Sequence, residues 1–134
     1  MSVVRFGVSL ESELLVELDA YVQDNFFANR SQAIRALIEK NIVEKKWLCN
    51  HHVAGAIVLV YEPDRYEIAA NLLKIQQNHI ELILSSQRFF QKNNLCIEIV
   101  AIDGIAQKLT KLSEEMIALK GIVHGKLIMS RVSD

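Results

Sequence analysis

From Val4 to Leu10 the chain alternates strictly, with Val4, Phe6, Val8 and Leu10 on one face and Arg5, Gly7 and Ser9 on the other. That period of two predicts a half-buried strand. At Glu11 the period changes: Leu14, Leu15, Leu18, Tyr21 and Val22 recur at helical spacing, so the chain enters an amphipathic helix with no hairpin return. A second helix is predicted to start near Arg30, where Asn29 can cap it and Gln32, three residues on, can reach back in capping-box fashion. Its apolar stripe is Ala33, Ile34, Leu37, Ile38 and Ile42, and Lys45 and Lys46 fall in the last turn, where cations suit the helix dipole. The first unit therefore reads strand, helix, helix.

"LCNHH" (48–52) is a polar interruption, read as a mobile linker. Beyond it "VAGAIVLVY" predicts a strand. Glu62-Pro63-Asp64 opens a helix with Ile68, Ala69, Leu72 and Ile75 on its buried side. "IELILSSQRFF" and "LCIEIVAI" alternate as strands on either side of the turn-forming Lys92-Asn93-Asn94, with Asp103-Gly104 ending the second. A helix from about Ile105 to Lys120 is expected to close on Gly121 in the left-handed conformation, and "VHGKLIMS" gives the last strand. The order β-α-β-β-α-β is the ferredoxin-like arrangement. The fold class is α+β, with an N-terminal β-α-α domain over residues 1–48 and a ferredoxin-like domain over residues 53–134.

A lone strand leaves unpaired N–H and C=O groups along its edge, and the economical remedy is antiparallel pairing with the same strand of a second chain. A unit of roughly 45 residues with one strand also buries too little surface to stand alone, so it is expected to be an obligate homodimer. The product is a two-stranded ribbon on a four-helix base, and a ribbon of that width fits the DNA major groove. Arg5, Gly7 and Ser9 would face the bases: Arg5 can donate bidentately to guanine, and Ser9 can bond to more than one base. Asn29, Arg30 and Ser31, with the free N–H groups of a helix start, form a natural phosphate clamp.

Composition narrows the function without contradicting this picture. The chain has 134 residues, 51% of them hydrophobic, and a formal charge of −1. Such a balance argues against strong nonspecific nucleic-acid binding, so any DNA affinity must come from a few well-placed groups. No basic domain is hidden in the average, since residues 1–50 hold six Lys or Arg against seven Asp or Glu. Cys49 and Cys96 do not make a disulfide framework, and reduced thiols are the default. Apolar runs such as "AGAIVLVY" are too short to cross a bilayer and the N-terminus lacks the pattern of a signal peptide, which predicts a cytoplasmic protein with no membrane partner. No Ser-His-Asp set, paired carboxylates, phosphate loop or dinucleotide fingerprint is present, so an enzyme is not expected.

"RFGVSLESELLVELD" followed by "NRSQAIRALI" resembles the ribbon-helix-helix repressors. "VYEPDRYEIAANLLKIQQNHIELILSS", "CIEIVAIDG" and "GIVHGKLIM" resemble the C-terminal domain of the nickel-responsive (NikR-like) regulators. The resemblance runs from about Val3 to Met129 and implies a homotetramer in which two dimers that bind a double-stranded DNA operator flank a core of four ferredoxin-like (ACT-type) domains. It assigns base reading to Arg5, Gly7 and Ser9, where Gly7 departs from the usual residue bearing a side chain, and a backbone contact on DNA to Arg65.

The resemblance also implies nickel as cofactor, held by a His, a second His eleven residues later, a third two beyond, and a Cys six further on. Three imidazoles and a thiolate suit square-planar Ni(II). Cys96 matches the thiolate, but the three His positions hold Gln77, Arg88 and Phe90. Phe has no donor atom, Arg has no lone pair to offer, and a Gln amide is a weak ligand. The two acidic positions of the family's second cation site correspond to Gln32 and Ala36.

Alternatives remain open. A rebuilt metal site could use His79, His124 and Cys96, although His79 sits about 200 degrees around a helix from Gln77. Cys49, His51 and His52 form a second candidate cluster on the linker. Each has a plain reading beside it: a surface histidine, a buried thiol. Glu98 is read as an exposed side chain or a tetramer-interface ion pair, and Arg88 as a partner for Glu81 in which a cation replaces the metal's charge. The function expected is a DNA-binding transcriptional regulator with its high-affinity nickel site largely lost. The rivals are a regulator sensing another metal, one sensing a small organic effector at ACT-type interfaces, and a non-DNA assembly module.

Overall fold

The computed structural model describes residues 2–130. They form two compact units, one running to Asn41 and the other starting at Ile42. In the first, residues 2–11 carry no regular secondary structure and α1 spans Ser12–Asp24. The strand expected over Val4–Leu10 is therefore not formed in the single chain. The physical reason lies in the hydrogen bonds: the one sheet among the described residues uses other segments, so nothing lies alongside Val4–Leu10 to complete a ladder. Its apolar positions stay open, Phe6 at 74% exposure. Helix α1 buries none of its residues, and the turn after it passes through Phe26 at φ 60° with Asn25 Nδ2 donating to the Tyr21 carbonyl at 3.0 Å. Helix α2 runs Arg30–Leu48.

The second unit comprises the end of α2, β1 (His52–Tyr61), α3 (Tyr66–Asn78), a single 3₁₀ turn at Ile80–Leu82, β2 (Ile83–Phe90), β3 (Cys96–Ile105), α4 (Ala106–Ile117) and β4 (His124–Ser130). The strands form one antiparallel sheet in the order β2-β3-β1-β4, with Val58 of the central strand facing Ile99 on one side and Lys126 on the other. This is the expected ferredoxin-like connectivity. The alternation of β1 and β3 sends Ile57, Leu59, Val100 and Ile102 under the helices, where they meet Ile68 and Leu72 of α3 and Leu109, Leu112 and Met116 of α4. Each such side chain contributes about 1.5–3 kcal/mol on leaving water. Trp47, at the end of α2, joins this core, and its Nε1 donates to the Ser130 carbonyl at 3.2 Å. Gly55 is required here, because a Cβ would collide with the Ile128 carbonyl and press on the Trp47 ring at 3.2 Å.

Several expectations need correction. Asp103-Gly104 does not end a strand: both stay in the ladder, opposite Ala54 and Val53, and the helix begins directly after Ile105. Helix α4 stops at Ile117 rather than near Lys120, and Gly121 takes its left-handed φ of 102° in the turn that follows. "LCNHH" is not a mobile linker. Asn50 sits at φ 61°, its Oδ1 accepts from the Gln107 N–H at 2.8 Å, and the His51 carbonyl accepts from the Ala106 N–H at 2.9 Å, so the segment caps the start of α4.

Candidate functional site

Two groups of residues bear on function, one in each unit. In the first, Arg5, Gly7 and Ser9 are all exposed, and a Cβ at Gly7 would meet nothing within 4 Å, so nothing inside the chain demands a glycine there. Asn29 caps α2 as its sequence predicts, with Oδ1 accepting from the Gln32 N–H at 2.9 Å. The reciprocal bond goes one residue further back than a capping box, from the Ala28 N–H to Gln32 Oε1 at 3.3 Å. Ser31 is exposed on the first turn. Arg30 is engaged: its Nε and one terminal nitrogen meet the two carboxylate oxygens of Asp19 at 2.8 and 3.0 Å. Those hydrogen bonds hold the Asp19 carboxyl below its ordinary range and push Arg30 up. A planar guanidinium has five donors, so two bonds to Asp19 leave others to offer a phosphate. In the other unit, Arg65 precedes α3 and its Nε lies 3.2 Å from Glu67 Oε1.

The second group converges on Glu98. Expected to be exposed or at an interface, it is instead buried, with 2% of its side chain accessible. Tyr61 Oη donates to Oε1 at 2.5 Å, Gln76 Nε2 and Ser86 Oγ each donate to Oε2 at 2.7 Å, and Arg88 Nε stands 3.3 Å from Oε1. The expected pairing of Arg88 with Glu81 is replaced by this one, because Arg88 lies directly opposite Glu98 in the β2–β3 ladder. A buried carboxylate is costly unless its lone pairs are met, and four side chains from three elements, β1, α3 and β2, face this one. Burial and the neighbouring Glu98 push the Tyr61 phenol far above its ordinary range. The phase of "CIEIV" holds the missed signal: Glu98 shares its face with Cys96 and Val100, both fully buried.

The fold brings three of the four implied nickel positions together. Phe90 and Tyr61 flank Cys96 in the ladder, two pairs from Arg88, while Gln77 lies exposed on α3. Cys96 is fully buried and Phe90 is 71% exposed. This donor set does not fit nickel, since a lone thiolate is joined by a phenyl ring and by a guanidinium already bound to a carboxylate. The residues suggested for a rebuilt site do not assemble within the chain. His79 Nε2 lies 3.4 Å from Glu115 Oε2, His52 Nε2 is 2.5 Å from Asp103 Oδ1, and Cys49, His51 and His124 are exposed. Among the described residues no three His, Cys, Asp or Glu side chains are grouped so that they could hold a metal. Nor, among them, is any helix long and apolar enough to cross a membrane.

Residues 54–130 match the family described as the NikR C terminal nickel binding domain. The chain is 37% identical over 131 residues to a protein of Pyrococcus furiosus and 38% identical over 130 residues to one of Syntrophus aciditrophicus, both assigned by name to the nickel-responsive regulators. Each match covers 97% of this chain and 95% of the relative. Among solved structures, an uncharacterised protein of Thermotoga maritima superposes with a TM-score of 0.54 at 17% identity, over 60% of this chain and all of the other, a likeness of fold alone.

Proposed function

The chain belongs to the nickel-responsive regulator family, and on that premise we propose that it is a DNA-binding transcriptional regulator whose N-terminal segments pair between two copies and read an operator. The family is one of regulators, not enzymes. Residues 1–48 serve dimerisation and DNA binding, and residues 53–134 serve regulation and tetramer assembly. Arg5 and Ser9 read base edges in the major groove, Gly7 brings backbone to the groove, and Asn29, Arg30, Ser31 and Arg65 hold phosphates. The high-affinity nickel site is largely lost.

One observation carries this reading: the apolar face from Val4 to Leu10 is exposed and unpaired within the chain, directly ahead of a helix that buries nothing. An isolated chain has no reason to keep Val4, Phe6, Val8 and Leu10 in strict alternation unless that face is covered by a second chain, and covering it turns Arg5 and Ser9 outward.

Selection of duplexes from a random pool by the full-length protein, in chelator, tests it. A two-fold-symmetric site that shifts the protein in a salt-sensitive manner is expected. Failure to enrich any sequence would favour the assembly-module reading instead.

A further inference from the structure

The nickel positions do not fit nickel, yet the side chains that replaced the ligands are not idle. Arg88 stands at one of the missing histidines and places a guanidinium 3.3 Å from Glu98, a carboxylate with only 2% of its surface accessible. Glu98 in turn is fixed from three other directions, by Tyr61 of β1, Gln76 of α3 and Ser86 of β2. We infer that Arg88 is a built-in cation that compensates the buried Glu98 charge in place of a metal ion, tying β2 to β3 and leaving the regulatory domain indifferent to metal.

The chemistry favours this arrangement. Tyr61, Gln76 and Ser86 are neutral donors, so they satisfy lone pairs without cancelling charge. Arg88 is the one cationic side chain among the four groups on Glu98, and it cannot lose its proton at any physiological pH. A fixed guanidinium differs from a bound ion in one functional respect: it cannot dissociate. A regulator that senses metal moves between two states because its cation comes and goes, and a ligand shifts an equilibrium only through differential affinity for the two states. With the cation covalently attached, no such equilibrium remains to be shifted at this position. The inference rests on the family reading for its consequence, metal-independent DNA binding, but its physical core concerns Arg88 and Glu98 alone.

The test is a double-mutant cycle in thermal unfolding on the full-length protein, comparing wild type, Arg88→Gln, Glu98→Gln and the double variant, each in chelator and with added Ni(II). Wild type is expected to melt at the same temperature in both. Arg88→Gln should melt at least about 4 °C lower, a modest shift because Arg88 is partly exposed. Adding Glu98→Gln to it should recover most of that loss, since the charge needing compensation is gone. Arg88→Lys, which keeps the cation, should stay near wild type and serves if Arg88→Gln does not fold. Equal melting of wild type and Arg88→Gln, no rescue by Glu98→Gln, a loss in Arg88→Lys, or a rise of wild-type Tm with Ni(II) would each overturn the inference. Failure of wild type to bind DNA would count against the regulator reading while leaving this cycle intact.

Discussion

Replacing Tyr61 by Phe removes one hydroxyl and nothing else. The ring is 1% exposed and packed against the core, so no cavity larger than an oxygen opens, and the loss is the 2.5 Å bond to Glu98. A hydrogen bond to a charged group contributes about 1.5–3 kcal/mol, and Glu98 keeps Gln76, Ser86 and Arg88, so the cost should fall in that range rather than at the full penalty of an unpaired buried charge. At about 4–8 °C per kcal/mol for a domain of this size, that is a fall in Tm of about 6–24 °C. Trp47 is the chain's only tryptophan and lies in the same core, so urea unfolding followed by its fluorescence reports on the unit that holds Tyr61. The midpoint should drop with the m-value unchanged. The pH dependence supplies a sign. The phenol is raised above its ordinary value of 10.0 in the folded state, so below about pH 10 it is protonated folded and unfolded alike. As pH rises past 10 the unfolded phenol ionises first, the unfolded state binds fewer protons, and stability falls. Tyr61→Phe should lose that part of the alkaline slope. A Tm change below about 2 °C, or an alkaline slope equal to wild type, would refute the account of Glu98 as a satisfied buried carboxylate.

Asn29→Ala should cost about 1 kcal/mol by freeing the Gln32 N–H at the start of α2, seen as reduced helicity on heating, and should weaken DNA binding without changing which sequence is preferred. Gly55→Val should destabilise the sheet unit by about 2 kcal/mol or more, because the added carbons meet the Ile128 carbonyl and the Trp47 ring, and a shifted Trp47 emission should accompany it.

Much of this fold is legible in the chain because period and punctuation agree. The regular spacing of Ile68, Leu72 and Ile75, the strict alternation of β1 and β3, and Asn94 and Gly121 at positive φ all point to the arrangement found. Where local signals competed with tertiary contacts, the contacts won. Asp103-Gly104 reads as a turn, yet His52 and the β1 ladder hold it extended. "LCNHH" reads as a linker, yet Asn50 is bound to the start of α4. The Glu98 centre was half visible. That Arg88 would find an acidic partner follows from its place among vanished ligands, but which partner depends on strand register, and register is set by the whole sheet. The N-terminal segment is the opposite case. Its alternation is plain in the sequence, yet residues 2–11 carry no regular structure in the single chain, because the one sheet among the described residues uses other segments.

The most direct measurement is the salt dependence of binding to a selected operator duplex, by fluorescence anisotropy in chelator, for wild type and Arg5→Ala. With Arg30 and Arg65 on phosphates in each of two chains, log K should fall against log salt with a slope of about −4. Arg5→Ala should weaken binding by about 1–3 kcal/mol per lost base contact and relax preference at one position of each half-site. Wild-type binding that ignores salt, or an Arg5→Ala protein with unchanged affinity and sequence preference, would contradict the claim that these paired segments read DNA.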